Sequence, residues 1–538
     1  MKRLLLSALL GVGLFGCAPK EVNYSVKIVT QNCDPSANPF EGVQFLRVRV
    51  TGTDMAPLTA TSAANAATPE IKIPEIPAGN GRVIEVRAYE NDPASGGRVV
   101  SIGKSVAFNV PDVVPEDLMG APINVNVILR KVNSFAPIVS AAAPTTCQAL
   151  RVPRAGHTAT LLKSGKVFIV GGYNFKAGTA EKKALADAEI YNPSTGAFEL
   201  AKPISIGAVG EFPRAYHTAT LLQNGQVLIW GGESYGNGVN NTPNLWSQVF
   251  GYDEGADEYG IYPGRVPPAA PVIVRSHHRA AIDKNGKVLV AGGYTRSGSL
   301  IPADAVEWLD PATATSDAVK VITGVQLPRI DPTVMPLKQG EFIAVAGGSD
   351  SSSVKSDITF FKFDGTTFGK VTPSTPPQLS GVGRRGAAGA NIRDGMDLII
   401  LGGFSSSTMV APLGSSEILS SSTTISPGPN DVGTARGEIC AVTLADGRVL
   451  AVGGRTSDSG APARSDATAV MITAAETGGV TSESRPALPK ARYHHTCTAL
   501  NDGTVLVTGG INEFSTGGNQ TFEILQDAYI YTPTPLTD

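Results

Sequence analysis

A pair of adjacent glycines closes an apolar run seven times in the last two thirds of the 538-residue chain. Each pair follows another glycine, usually preceded by Asn or Asp, as a tight hairpin turn requires. Successive pairs are 51 to 61 residues apart, a period that predicts a propeller or a similar array. The pairs begin at Gly171, Gly231, Gly292, Gly347, Gly402, Gly453 and Gly509, after turn glycines Gly165, Gly225, Gly286, Gly340, Gly395, Gly447 and Gly503.

A third apolar segment follows several of the pairs, for example "AEIYNP" from Ala188, "AVEWLDP" from Ala305 and "AYIYTP" from Ala528. Each repeat therefore predicts a small antiparallel sheet. The whole pattern, from an Arg and a His through "GG" to "YNPSTG", resembles the kelch repeat over about residues 148 to 538. The resemblance implies a seven-bladed β-propeller in which repeats 4 and 5 are the least regular.

Closure of such a ring requires a fourth strand in the last blade. The chain ends five residues after Pro533, which leaves too few residues for that strand. We therefore expect the segment from Phe135 to Leu150 to supply it and to join the two ends of the ring.

The N-terminus reads as an export signal. Met1-Lys2-Arg3 is basic, the run from Leu4 to Phe15 is apolar but too short to span a bilayer, and Cys17 follows. This arrangement resembles the lipobox of bacterial lipoproteins, which implies a signal peptide at residues 1–16 and lipidation of Cys17 at the start of a short tether, 17–20. The expected location is the bacterial cell envelope, as an outer-membrane lipoprotein or at the cell surface.

Residues 21–132 show a different strand pattern, with apolar residues at alternate positions such as Val22, Tyr24, Val26 and Ile28. Several short strands of this kind predict an immunoglobulin-like β-sandwich. With 60 glycines, 38 prolines and only 17% charged residues, the composition also favours turn-rich β structure. We therefore predict an all-β chain: a sandwich at 21–132 and a kelch-type propeller at 133–538.

Export permits disulfides, and four cysteines remain after Cys17. They are Cys33, Cys147, Cys440 and Cys497, and they allow three pairings that sequence leaves open. We favour Cys33–Cys147, because both lie outside the repeats.

Two residue types recur at fixed distances before the turn glycines. Eleven residues before them is always an arginine, and eight residues before them is a histidine in four repeats. The arginines are Arg154, Arg214, Arg275, Arg329, Arg384, Arg436 and Arg492, and the histidines are His157, His217, His278 and His495. Both sets are expected at one mouth of the channel, together with the long loops that follow the glycine pairs.

Two roles are open for these residues. A residue repeated in every blade can do the same structural job in every blade, such as hydrogen bonding to backbone carbonyls. Alternatively, a ring of guanidinium groups suits carboxylate or phosphate ligands, and some kelch domains bind acidic peptides at a comparable mouth. Trp246, in the aromatic-rich loops of repeat 2, is a further candidate contact for a sugar or a protein.

These patterns predict a non-enzymatic binding or scaffold protein without a cofactor or metal. Its expected ligand is a protein or a glycan, and anionic ligands are among the candidates. The only expected membrane contact is the lipid anchor, and a net charge of −3 argues against nucleic acid. A glycan-binding propeller is one alternative. The other is a copper-dependent oxidase resembling galactose oxidase, since Cys440 and the pairs Tyr493-His494 and Tyr216-His217 resemble its copper-site residues.

Overall fold

The computed structural model describes residues 24–536 except for a set of short segments, and Cys17 and Trp246 lie outside the described residues. The segments left out are 31–32, 65–69, 73–75, 113–122, 177–178, 180, 207–209, 236–242, 246–248, 262–272, 298, 314–318, 380–381, 430–432, 457–463, 477 and 517–518. Within the described part, no helix has the length and apolar character needed to cross a membrane.

The chain divides into two compact units. The first comprises residues up to 29 together with 40–129, and the second comprises 30–39 together with 130–538. The described regular structure is strands apart from two 3-10 turns, Pro35–Ala37 and Pro93–Ser95. The first unit contains strands β1 to β8, which are Tyr24–Thr30, Phe45–Gly52, Met55–Ala63, Glu70–Lys72, Gly79–Tyr89, Val99–Lys104, Phe108–Val110 and Ile123–Lys131.

In the first unit the strands pair in the order β3-β2-β5-β6-β8-β1-β4, and β7 pairs with β5. Alternate residues of β2 are buried, as the period-two pattern predicts. Side chains from β1, β2, β5 and β8, including Val26, Val48, Val86 and Val127, meet in a single core. The all-β prediction is confirmed, while the immunoglobulin-like topology stays a prediction.

The second unit is a seven-bladed propeller, as predicted. Six blades are four-stranded antiparallel sheets formed by consecutive segments of the chain. Blade 1 consists of Thr158–Leu161, Val167–Val170, Ala188–Asn192 and Ala197–Ala201, and blade 2 of Thr218–Leu221, Val227–Trp230, Val249–Asp253 and Glu258–Ile261. Blade 3 consists of Arg279–Ile282, Val288–Ala291, Ala305–Leu309 and Val319–Gln326, and blade 4 of Thr333–Leu337, Phe342–Ala346, Ile358–Phe363 and Phe368–Val371. Blade 5 consists of Ala388–Ile392, Asp397–Leu401, Ser416–Leu419 and Ile425–Pro427, and blade 6 of Cys440–Thr443, Val449–Val452, Ala469–Ala474 and Val480–Arg485.

Blade 7 is built from both ends of the propeller sequence. Thr496–Ala499, Val505–Thr508 and Ala528–Thr532 are followed in the sheet by Ser134–Ser140, which pairs antiparallel with Ala528–Thr532. Ala143–Gln148 adds a fifth strand at the outer edge. The predicted closure by this segment is therefore confirmed, with one strand more than expected.

The second strand of each blade is almost entirely apolar because both of its faces pack against neighbouring blades, with Asp397 and Thr508 as polar exceptions. In blade 1, Phe168 and Val170 pack with Ile229 and Phe250 of blade 2. The Phe168 ring also stacks on Tyr252, with ring centroids 4.0 Å apart. Similar apolar clusters lie at the other blade interfaces.

Two disulfides tie the second unit. Cys33 bonds to Cys147, which confirms the favoured pairing, and Cys440 bonds to Cys497. Cys440 and Cys497 lie on the first strands of blades 6 and 7, so this bond joins neighbouring blades beside the axis.

Five blades extend a short hairpin from the glycine pair. The hairpin strands are Tyr173–Phe175 with Lys182–Ala184, Glu233–Tyr235 with Pro243–Leu245, Tyr294–Ser297 with Ser299–Pro302, Arg455–Thr456 with Arg464–Ser465, and Ile511–Thr516 with Asn519–Ile524. One further two-stranded piece, Ser205–Ile206 with Gly210–Glu211, lies between blades 1 and 2. The hairpins start where the arginines lie, so they surround the same mouth of the channel.

Candidate functional site

The seven arginines, here called the arginine ring, are buried and make internal contacts. Arg154, Arg214, Arg275, Arg436 and Arg492 are fully shielded from solvent. In six blades the guanidinium group donates to the carbonyl oxygen of the first glycine of its own glycine pair, at 2.7 to 2.9 Å. In blade 4, Arg329 forms an ion pair with Asp357.

The backbone of the arginine ring also links neighbouring blades. The carbonyl of each arginine accepts a hydrogen bond of 2.7 to 3.0 Å from the second glycine of the preceding blade. A Cβ on the first glycine of any pair would lie no more than 2.6 Å from that arginine oxygen. Glycine is therefore required at the first position because the next blade passes too close for a side chain.

Three of the arginines also bind a buried glutamate on the third strand of their own blade. Arg154 donates to Glu189 at 2.7 Å and Arg275 to Glu307 at 2.6 Å, with all four side chains fully buried. Arg384 donates to Glu417 at 2.7 Å. At the equivalent position of blade 2, Phe250 places its ring 4.6 Å from the Arg214 guanidinium carbon, a cation–π contact.

The four histidines are buried between blades. His217 and His278 meet Thr158 and Thr218 of the preceding blade through Nε2, at 2.9 and 3.1 Å, and His157 meets Thr508 at 3.1 Å. Burial and the neighbouring arginines lower the pKa of His217 and of His495 to about 3, and they lower those of His157 and His278 as well. All four are therefore neutral over the physiological range.

Of the two roles open for these arginines and histidines, the described contacts favour the structural one. The hydrogen bonds described above run to backbone carbonyls, glutamates and threonines inside the ring. Direct ligand contact by these residues stays an untested prediction, and so do the roles of Cys17 and Trp246.

A second ring lies two residues after the arginines, and we call it the inner ring. Every member has a left-handed backbone, with φ between 48° and 63°. The N–H groups of Gly156, Tyr216 and His277 donate to the carbonyl of the inner-ring residue in the preceding blade, at 2.9 to 3.0 Å, and those of Gly386 and Glu438 do the same. The members are Gly156, Tyr216, His277, Asp331, Gly386, Glu438 and His494.

Because these hydrogen bonds run from blade to blade, the inner ring surrounds the axis at the mouth. Left-handed backbone is uncommon outside glycine, and here it persists in five non-glycine residues. Unlike the arginine ring, the inner ring differs in residue type from blade to blade. Its side chains are half-buried at Tyr216, His277, Glu438 and His494, so they border the open mouth.

Three of these side chains form a hydrogen-bonded chain. Glu438 Oε1 lies 2.9 Å from His494 Nε2, and His494 Nδ1 lies 3.1 Å from the Tyr216 hydroxyl. If His494 donates to Glu438, its Nδ1 accepts from Tyr216. Burial raises the pKa of Tyr216 well above its ordinary value, so its hydroxyl stays protonated and can donate. Gly156 leaves the room for this contact, because a Cβ there would lie 3.0 Å from the Tyr216 ring.

His277, on the blade after that of Tyr216, lies between two carboxylates. Its ring stacks on Tyr216 with a centroid distance of 3.8 Å, and its nitrogens lie 3.9 Å from Glu233 and 3.7 Å from Asp331. Burial opposes the charged imidazole, but both carboxylates outweigh it and raise the pKa of His277 to about 9. Asp331 also pairs with Arg385 of the next blade at 2.9 Å, so its carboxylate is shared between His277 and an arginine.

Sequence reasoning missed the inner ring as a unit. His277 and His494 were visible only as neighbours of the repeated histidines, and Asp331 and Glu438 carry no motif. The available signal was the position itself: two residues after an invariant arginine, residue type varies through Gly, Tyr, His, Asp and Glu. A position that varies beside constant ones is where repeats can acquire different functions.

The residues present do not fit the copper site that the oxidase alternative requires. Cys440 is bonded to Cys497, so its sulfur cannot cross-link a tyrosine. His217 is buried and contacts Thr158. Within the described segments, no three His, Cys, Asp or Glu side chains come together as a metal site.

Comparison with known proteins supports the fold. The Kelch motif matches residues 153–204. Among solved structures, a novel fungal alcohol oxidase with catalytic diversity among the AA5 family, in complex with copper, has a TM-score of 0.52 at 17% identity, covering 75% of this chain and 76% of that one. The structure of YjhT has a TM-score of 0.42 at 14% identity, covering 62% and 99% of the two chains.

No curated protein shows significant sequence similarity to the chain. At 17% identity, the likeness to the fungal alcohol oxidase is one of fold. The chain thus carries a Kelch motif within a seven-bladed β-propeller whose fold is similar to that of a copper alcohol oxidase.

Proposed function

We propose that the chain is an exported, lipid-anchored binding protein that takes a protein or glycan ligand at the mouth bordered by the inner ring, without catalysis. The observation that supports this most is the contrast at the mouth. Residues that hold the blades together repeat, whereas the half-buried side chains that border the opening are of three types: Tyr216, Glu438 and the histidines His277 and His494.

The chemistry of the mouth suits a polar ligand with an apolar face. Tyr216 offers a ring, while His277, Glu438 and His494 offer donors and acceptors within reach of it. Aromatic rings beside carboxylates are a common arrangement for sugar rings, which supports a glycan as the second candidate ligand. An anionic ligand loses its main support, because the arginines that suggested it make internal contacts.

A binding screen tests the proposal. The mature chain, labelled at its tether, would be applied to glycan and peptide arrays, and a ligand found there would be titrated against variants. We expect Tyr216→Ala to weaken binding at least about tenfold, as loss of a central aromatic contact does. Asn501→Ala, an exposed change at the opposite end of the channel, is the matched control. Equal binding by both variants would place the ligand elsewhere.

The anchor is tested separately. Cys17→Ser should move the protein from the membrane fraction to the soluble fraction or block its processing, because a lipidated cysteine is needed for stable attachment. Membrane association that survives this change would contradict the lipoprotein proposal without affecting the mouth.

A further inference from the structure

A lysine ammonium group lies among three tyrosine rings at the mouth. Lys182 Nζ is 4.6 Å from the centre of the Tyr173 ring, 5.5 Å from that of Tyr235 and 5.9 Å from that of Tyr216. These distances are those of cation–π contacts, and three at once define an aromatic cage. We use the name tyrosine cage for Tyr173, Tyr216 and Tyr235.

The cage is built from separate elements and is held in place by hydrogen bonds. Tyr173 and Tyr235 begin and end the first hairpin strands of blades 1 and 2, and Tyr216 belongs to the inner ring. The Tyr235 hydroxyl donates to Glu233 at 2.7 Å, and that of Tyr216 contacts His494. The rings of Tyr173 and Tyr235 stand at 73° to each other, so they form two walls.

Lys182 is held there by the rings rather than by an ion pair. Among the described residues, no carboxylate lies within salt-bridge distance of its ammonium group. Burial lowers the pKa of Lys182, although Glu233 and Glu438 oppose this effect. The carboxylates of Glu233 and Glu438 favour a cation in the cage, but burying the strongly hydrated Lys182 ammonium group costs free energy. A cation that is easier to desolvate should therefore replace it.

We propose that the tyrosine cage is a recognition site for an alkylammonium group, and that Lys182 fills it in the free protein as an internal competitor. Quaternary ammonium ions suit it best, because they are weakly hydrated and spread their charge over methyl groups that face aromatic rings. Entry of such a group requires the Lys182 side chain to leave. This inference rests on the mouth being the binding surface.

Choline is a suitable probe. Calorimetric titration of the mature chain should show weak binding, and Lys182→Ala should bind choline at least about tenfold more tightly, because the competitor is gone. Lys183→Ala, at the exposed neighbouring position of the same strand, should behave as the unchanged protein. Adding Tyr235→Ala to Lys182→Ala should abolish the gain.

A second measurement needs no substitution. Acetylation of lysines by an amine-reactive acetate ester, followed by mass spectrometry, should be slow at Lys182 and faster when choline is present. Sodium chloride at equal ionic strength should not change it, and Lys183 should react quickly throughout.

Choline affinity that is unchanged in Lys182→Ala, or Lys182 acetylation that is insensitive to choline, would overturn the proposal. If arrays identify another ligand at the mouth while choline fails both tests, the cage inference alone is wrong. Loss of all mouth ligands in Tyr216→Ala without any choline effect would leave the proposed function standing.

Discussion

The arginine ring and the inner ring lie two residues apart in every blade, yet they behave as opposites. The arginine ring has one residue type, buried side chains and a contact to the glycine pair that repeats in six blades. The inner ring has one backbone conformation and five residue types. In this repeat protein the residues that hold the blades together are constant, whereas the residues that surround the axis at the mouth vary.

The largest expected effect is the loss of stability when an arginine of the arginine ring is removed. Arg154→Ala leaves Glu189 fully buried without its ion-pair partner, which should cost about 3 to 5 kcal/mol of unfolding free energy in urea denaturation. Arg154→Ala/Glu189→Gln should be less destabilised than Arg154→Ala alone, because the unpaired charge is removed. Arg464→Ala, at an exposed position, should change stability by less than about 0.5 kcal/mol. Equal losses at Arg154 and Arg464 would contradict a structural arginine ring.

The next prediction tests whether the protonated His277 of the inner ring stabilises the fold. The pKa of His277 is raised to about 9 from an unfolded value near 6.5, so its contribution is complete below about pH 6.5 and is lost as pH rises through 9. We expect a decrease of about 1 to 3 kcal/mol between pH 6.5 and 9.5. The charge is shared with Glu233 and Asp331, and Asp331 is also paired with Arg385.

His277→Gln should remove this alkaline decrease in unfolding experiments carried out across the same pH range. Survival of the full decrease in His277→Gln would assign it to other groups. The structural histidines cannot mimic it, because the pKa of His217 and that of His495 are lowered to about 3 by burial and nearby arginines.

The smallest effect compares two glycines within the inner ring. Gly156 and Gly386 have φ of 62° and 63°, so alanine should cost each a similar backbone strain of about 1 kcal/mol. A Cβ at Gly156 would meet the Tyr216 ring at 3.0 Å, whereas the nearest atom at Gly386 is 3.8 Å away. Gly156→Ala should therefore have the lower melting temperature, and a reversed order would mean that Tyr216 does not need this space.

Much of the fold was predictable because each blade carries the same sequence motif. The glycine pairs and turn glycines predicted seven blades, and the need for a fourth strand in the last blade predicted the closing strand. The arginines were visible for the same reason. Their burial was not, because an arginine that closes a ring and an arginine that binds a ligand follow the same spacing.

The inner ring and the tyrosine cage were largely hidden. The inner-ring residues share a backbone conformation, and the tyrosines of the cage share a contact with Lys182. Neither property produces a recognisable pattern of residue types in the sequence. Tyr216 was noticed beside His217, but its partners His494 and Glu438 lie on blades 7 and 6. Lys182 lies on a hairpin outside the repeated motifs, so only the fold brings it to the tyrosines.

The closing strand of blade 7 also sets the order in which the chain can fold. Asn133, just before Ser134–Ser140, meets Tyr531 across a separation of 398 residues. During synthesis from the N-terminus, the early strand therefore emerges long before its partner exists. Its open edge must be kept from pairing with other chains until the last segment arrives, and the loop-closure entropy is paid only then. Ring closure should accordingly be the slow, late step of folding, and the step before which this chain is most exposed to aggregation.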